Sequence, residues 1–373
     1  MSEKFELRSV FNAETIKQTA QQIKEVYPAF DESAFVSSTL DGFEILSFGD
    51  RNSKITDNLY TYLPKAFPVA VEILVKALGE EVQVEELEGY EGFYVLPLST
   101  YVSRYGQNHY ERSIEALIEM TKRFTSEWPI RIFLEREQTK TLQHLHLCTQ
   151  SDNCHVRRLA SEGSRPRLPL GSRLHTFIKE PQLVLDLLEA LKNEPTRLVQ
   201  RSIANNLNDI TKDNPNDVVH FLKRWKKEDV KDVNWIIKHA TRTLVKEGHF
   251  GALELLGFDV DIDIESVSVE VSTPKVTLGE TLKFVTKINF NNPKKSKVVI
   301  DYLLHFKKAN GSLKPKVFKL STKEIGPQTS LSLTKRHPLK PATTRSYYKG
   351  LQAVQLQING RIVTELIPFE LFV

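Results

Sequence analysis

Between Val156 and Lys238 one pattern occurs three times. Val156-Arg157-Arg158, Val199-Gln200-Arg201 and Ile236-Ile237-Lys238 follow one another at spacings of 43 and 37 residues. Each is preceded by a short polar turn and a further segment with helical apolar periodicity. Two amphipathic helices per period cannot bury their apolar stripes alone, so the units must stack on one another. The period predicts an α-solenoid of HEAT-like helical repeats whose second helices line one concave surface. Arg158, Arg201 and Lys238 then share a register and form a ladder of positive charge. Solenoids that bind only proteins also carry such ladders, so the ladder leaves the partner open.

The helical period ends near Gly257 and gives way to alternation. SVSVEVS, TLKFVTKINF, KVVIDYLLHF, KVFKLST, SLSLTK, LQAVQLQI and IVTELIPFELFV read as seven short strands, with hairpin signals at Asn310-Gly311 and Asn359-Gly360. That is the pattern of an immunoglobulin-like β-sandwich. The expected organisation is multidomain, α then β: residues 1–260 helical, with N-terminal helices over 1–105 and repeats over 106–260, and residues 261–373 the sandwich. Asn12 is expected to cap a first helix. The acidic run from Glu80 to Glu91 is expected to be a solvated connection, because clustered like charges repel.

Composition narrows the function classes. The two cysteines, Cys148 and Cys154, rule out a disulfide-stapled scaffold. MSEKFELRSVF has neither the basic nor the apolar segment of a secretion leader, and no apolar run reaches the roughly 20 residues of a membrane helix. A soluble, cytoplasmic monomer is the expectation. Residues 1–150 hold 15 basic against 23 acidic side chains, 151–260 hold 18 against 15, and 261–373 hold 18 against 9. Basic character building along the chain suits a polyanion partner. Lys294, Lys295, Lys297, Lys307, Lys308, Lys314 and Lys316 gather near strand ends, either as a second anion contact or as protection of sheet edges.

The stretch from His155 to Leu170 concentrates the candidate chemistry. A helix from about Cys154 to Glu162 places Glu162 among Arg157, Arg158, Arg165, Arg167 and Arg173. In the next repeat, Asn205-Asn206-Leu207-Asn208-Asp209 is a poor helix former, since Asn and Asp compete with the backbone for hydrogen bonds. Either those side chains join neighbouring repeats, or they contact a ligand in the groove. Asn205 and Arg242 fall in the register of Glu162. Glu127, ahead of Pro129, sits at a helix junction, as a helix cap or as a group projecting into the groove. A carboxylate repels phosphate, so Glu127, Glu162 and Asp209 in a basic groove need a reason. They orient arginines, or they stabilise a cationic base or sugar and place the attacking water. His144, His146, Cys148, Cys154 and His155 match no closed tetrahedral spacing, so no metal is expected. Phosphate-loop, dinucleotide and serine-hydrolase signatures are missing, and no nucleotide cofactor is expected.

FTSEWPIRIFL, HVRRLASEGSRPRLP, VQRSIANNLNDI and WIIKHATRTLVKEG, in that order and followed by a strand-rich region, closely resemble the AlkC branch of the AlkC/AlkD-type HEAT-like-repeat DNA glycosylases. The resemblance is specific from about Gly92 to Phe258 and looser before it. It implies monofunctional release of cationic N-alkylated bases such as 3-methyladenine, and also 3-methylcytosine and 1-methyladenine. The duplex would be gripped by its backbone, with no flipping of the base into a pocket. It further implies that Glu127, Glu162 and Asp209 are catalytic. Arg158, Arg165, Arg167, Arg201, Asn205, Asn206, Lys238 and Arg242 would contact double-stranded DNA. One departure stands out: relatives commonly carry Trp after RPRLP, where this chain has Leu170. The rival readings are a HEAT-repeat DNA-binding protein with weak or no catalysis, and a protein-interaction scaffold.

Overall fold

The computed structural model describes residues 6–82, 91–341 and 345–373. Most of the acidic run after Glu80 lies outside the described residues. The chain forms two compact units, Met1–Ala240 and Thr241–Val373. Their division lies some twenty residues earlier than the expected boundary at 260/261, because the last short helices associate with the strands rather than with the repeats.

Among its described residues the first unit contains helices and no strand. Its elements are α1 (Ala13–Val26), α2 (Glu32–Leu40), α3 (Phe48–Tyr62), α4 (Phe67–Lys76), α5 (Val95–Tyr105), α6 (Tyr110–Thr121) and α7 (Ile130–Arg136). The repeats follow as α8 (Gln138–Cys148), α9 (Cys154–Gly163), α10 (His175–Lys179), α11 (Gln182–Glu189), α12 (Arg197–Ile210), α13 (Pro215–Lys227) and α14 (Val233–Ala240). Asn12 caps α1 by accepting from the Thr15 amide, and Asn153 caps α9 by accepting from the His155 and Val156 amides. The three recurring motifs fall in α9, α12 and α14, each preceded by another helix.

Central among these is α12, which packs on α9 and α14. Its apolar stripe of Val199, Ile203, Leu207 and Ile210 is buried, and so are Asn206, Asn208 and Asp209. The Asn206 amide donates to Ser161 O (2.7 Å) and the Asn208 amide to Ala240 O (2.7 Å), joining α12 to both neighbours. Asn206 and Asn208 of this unusual run thus lie in the seams between repeats, where each side-chain amide bonds a backbone carbonyl of a neighbouring helix.

The second unit contains α15 (Arg242–Glu247), α16 (Phe250–Leu255) and nine strands among the described residues. These are β1 (Ile264–Val271), β2 (Lys275–Thr277), β3 (Thr281–Phe290), β4 (Ser296–Lys307), β5 (Leu313–Ile325), β6 (Ser330–Pro338), β7 (Gly350–Ile358), β8 (Arg361–Ile362) and β9 (Ile367–Phe372). One sheet has the order β1-β3-β6; the other has β2-β9-β7-β4-β5, with β8 paired to β7. Phe284, Ile288, Ile300, Tyr302, Leu304, Leu356 and Phe369 share its buried core. The last predicted strand is two, β8 and β9, and β2 is too short to register as alternation. Gln357 donates to Lys246 O (2.9 Å) and Lys297 to Leu256 O (3.0 Å), which ties the helical ends to the six-stranded sheet.

A glycine pair makes that attachment possible. Gly248 ends α15 at φ +73°, and Gly360 closes the β7–β8 hairpin at φ +76°. A Cβ at Gly360 would lie 2.0 Å from Gly248 Cα, a clash with backbone that no rotamer relieves. Gly360→Ala is therefore expected to destabilise this unit by at least about 2 kcal/mol. Thermal denaturation of the full chain checks this, and an unchanged melting profile would exclude the close approach.

Candidate active site

Three carboxylates from three parts of the helical unit meet through shared cations. Glu127 lies in the turn between α6 and α7, Glu162 in the last turn of α9, and Asp209 in the last turn of α12. All three are buried. The Arg158 guanidinium reaches Glu127 (Nη2 to Oε2, 2.9 Å) and Glu162 (Nη2 to Oε1, 3.7 Å). Arg165 bridges Glu162 (Nη1 to Oε1, 2.6 Å) and Asp209 (Nε to Oδ2, 2.8 Å). Lys212 closes the series on Asp209 Oδ1 at 2.8 Å. The result is an alternating chain of Glu127, Arg158, Glu162, Arg165, Asp209 and Lys212.

Neutral hydroxyls add to these bonds. Thr125 Oγ1 donates to Glu127 Oε2 (2.7 Å) and accepts from Arg158 Nη1 (3.1 Å). Ser202 Oγ donates to Glu162 Oε2 (2.5 Å). Glu127 caps no helix: Pro129 occupies the cap position of α7, which has no side-chain cap bond. Glu127 lies buried instead, held by Arg158 and Thr125.

Arg165 and Asn206 differ from expectation. The Arg165 side chain is only 9% exposed, and two carboxylates take up its donors. Burial opposes its charge, but Glu162 and Asp209 outweigh this and hold the guanidinium above its ordinary pKa. It is an internal strut rather than a phosphate contact. Asn206 is fully buried in the α9–α12 seam and is likewise unavailable to DNA.

The other expected contacts are spread along the unit. Arg201 and Lys238 are exposed at the register position of Arg158, which is 22% exposed. Arg167 forms a two-pronged pair with Asp213 (2.8 Å twice) and holds that carboxyl below its ordinary pKa. Asn205 Oδ1 lies 3.0 Å from His239 Nε2, with His239 stacked on Trp235. Arg242 falls in the second unit, at the start of α15, beyond the end of α14 at Ala240.

Arg131 is a residue that sequence reasoning passed over. Fully buried, it donates to Gly163 O (3.0 Å), Arg165 O (2.9 Å) and Ser172 O (3.0 Å through Nε). Burial lowers its pKa to about 10, which leaves it charged at neutral pH. It satisfies the carbonyl end of α9 and pins the loop that carries Arg165. Trp128 Nε1 donates to Pro169 O (3.0 Å) from the other side. Held this way, the loop presents Leu170 at 89% exposure with φ +61°, an unusual backbone for a branched residue.

Burial pushes the Cys148 thiol up to about 12, so it is no ready metal ligand. Among the described residues no group of three His, Cys, Asp or Glu side chains is placed to hold a metal, and no helix is long and apolar enough to cross a membrane. In the second unit, Lys307, Lys308, Lys314, Lys316 and Arg345 line a cavity of about 690 Å³ beside the β4–β5 turn.

A helical-repeat unit whose buried acids are joined through arginines, followed by an Ig-like sandwich, is the class that fold and site define. Residues 124–244 match the family described as DNA alkylation repair enzyme, and 265–372 match the family described as the C-terminal Ig-like domain of the uncharacterised protein YhaZ. The chain is 34% identical to the uncharacterized protein YhaZ of Bacillus subtilis over 97% of its own length and 98% of that protein's. It also superposes on the Pseudomonas fluorescens alkylpurine DNA glycosylase AlkC, solved with DNA containing an abasic site analog. There the TM-score is 0.87 and the identity 33%, over 98% of this chain and 99% of that one. The chain belongs to the AlkC branch of the DNA alkylation repair family.

Because Arg165 sits between two buried carboxylates, removing it leaves both uncompensated. Arg165→Gln is expected to cost about 3–5 kcal/mol of stability, and adding Asp209→Asn should restore part of it. A double-mutant cycle by chemical denaturation checks this; strictly additive effects would mean that the pair is not coupled.

Proposed function

We propose that this protein is a monofunctional DNA glycosylase, acting as a monomer without cofactor or metal. It hydrolyses the N-glycosidic bond of cationic N-alkylated bases in duplex DNA. Its substrates include 3-methyladenine, with 3-methylcytosine and 1-methyladenine as further ones. The observation that carries this reading is the trio Glu127, Glu162 and Asp209, buried and linked through Arg158 and Arg165 in a chain that belongs to the AlkC branch.

The chemistry needs little from the protein beyond electrostatics. An N-alkylated base already bears positive charge, so the C1′–N bond breaks with its electron pair passing to the base, which leaves neutral. Positive charge then builds on the sugar, and carboxylates aimed at it lower the barrier. Water attacks C1′ and gives its proton to a carboxylate, leaving an abasic site. Asp209 and Glu127 stabilise the sugar cation and place the water, while Glu162 supports them and orients Arg158. Because the base needs no protonation from an enclosing pocket, the reading does not require the extrusion typical of base chemistry. Arg158, Arg167, Arg201 and Lys238 hold the backbone, with Asn205 beside them.

Incubation with N-methylated duplex DNA is expected to release free 3-methyladenine. Asp209→Asn should lower release by at least about a hundredfold while duplex affinity stays equal or tightens, since losing the buried negative charge leaves Arg165 and Lys212 to make the local potential more positive. Intact binding without base release by the native chain would favour the binding-only rival. Negligible duplex affinity even at low salt would favour the scaffold.

Leu170 makes a second expectation. Leu170→Trp would place a flat ring on an already rigid, exposed position and is expected to raise the rate of base release severalfold. Single-turnover kinetics on methylated duplex would check this; an unchanged rate would remove Leu170 from the site.

A further inference from the structure

The alternating chain has a consequence for what can bind it. Its three carboxylates are matched by Arg158, Arg165 and Lys212, so the cluster as it stands is electrically balanced. A cation entering a balanced cluster gains little, because its attraction to each carboxylate is offset by repulsion from the neighbouring guanidinium or ammonium. For the acids to act on a cationic sugar, one of their partners must move.

The three partners differ in their freedom to do so. Arg165 is 9% exposed and bonded to two carboxylates, so withdrawing it would strand both. Lys212 is 41% exposed but among the described residues it pairs with one carboxylate, Asp209, and lies off the register of the ladder. Arg158 is 22% exposed and reaches Glu127 and Glu162 together. It also stands at the same repeat position as the exposed Arg201 and Lys238. A phosphate backbone following that ladder meets Arg158 next, and phosphate engages a guanidinium's planar fork as well as a carboxylate does.

From this geometry we infer that Arg158 is a specificity-determining gate. Without DNA it covers Glu127 and Glu162, and a backbone phosphate draws it away and leaves those carboxylates to the substrate's positive charge. The inference rests on the proposed glycosylase reading and adds selectivity to it. Free cationic nucleosides meet a neutralised cluster, whereas the same cation carried on a duplex meets an exposed one. Grip and activation become one event.

The test measures binding of a hydroxymethyl-pyrrolidinium, a ring-sized mimic of the sugar cation, by calorimetry. Titrations are run with and without a short duplex bearing one tetrahydrofuran abasic site. In the native chain the duplex is expected to raise affinity for the cation at least about tenfold. In Arg158→Gln without DNA the affinity should already be raised by about that factor, with little further gain from the duplex. Arg158→Lys keeps the charge and should stay close to the native chain. Equal gains from DNA in the native and Gln proteins would overturn the gate, as would a Lys variant as open as the Gln variant. Should Arg158→Gln fail to fold, the native titrations still decide: no gain on adding the duplex overturns the proposal. Release of 3-methyladenine by the native chain is scored separately. A null result there removes the reaction, while the pyrrolidinium titrations still report on the gate.

Discussion

The Arg165 guanidinium holds together what the rest of the site depends on. Glu162 and Asp209 come from successive repeats, α9 and α12, and two buried carboxylates so close would repel one another in a poorly polarisable interior. A single cation between them turns repulsion into attachment and ties the two repeats at the same time. Arg158 extends the chain to Glu127, which no repeat contributes; it comes from the turn between α6 and α7. Around this core Thr125 adds a second bond to the Glu127 oxygen that Arg158 holds, and Ser202 takes the second oxygen of Glu162.

The supports of that core lie behind it. Arg131 anchors the loop after α9 through three carbonyls, and Trp128 anchors it again at Pro169. A loop so held can expose an apolar side chain in a left-handed backbone conformation, a state that an unsupported loop would relax. The seam residues Asn206 and Asn208 do the corresponding work between helices.

Much of this was legible from periodicity. The spacing of Val156, Val199 and Ile236 identified the three second helices, and alternation after Gly257 identified the sandwich. Local patterns could not say which polar residues face inward. Arg165 reads as one more surface arginine until Asp209, 44 positions away, is placed against it. Asn205 and Asn206 are adjacent in the chain, yet one lies beside His239 and the other is buried in the seam, because helical rotation separates them by about 100°. Arg242 lay in register on paper, but α14 stops two residues earlier. Arg131 carried a signal of its own, a charge at a position of apolar periodicity in PIRIFLER.

Because the acids come from separate stacked elements, the site is also a record of how the stack opens. Solenoids unfold by neighbouring units, and a repeat can fray without the rest. Detachment of α12 from α9 would carry Asp209 away from Glu162 while every helix involved remained helical. Ion pairs that cross the seam make such partial opening costlier, so amides in α9 and α12 should exchange with solvent together rather than one repeat at a time. The electrostatics of the site is in this sense also the cooperativity of the fold.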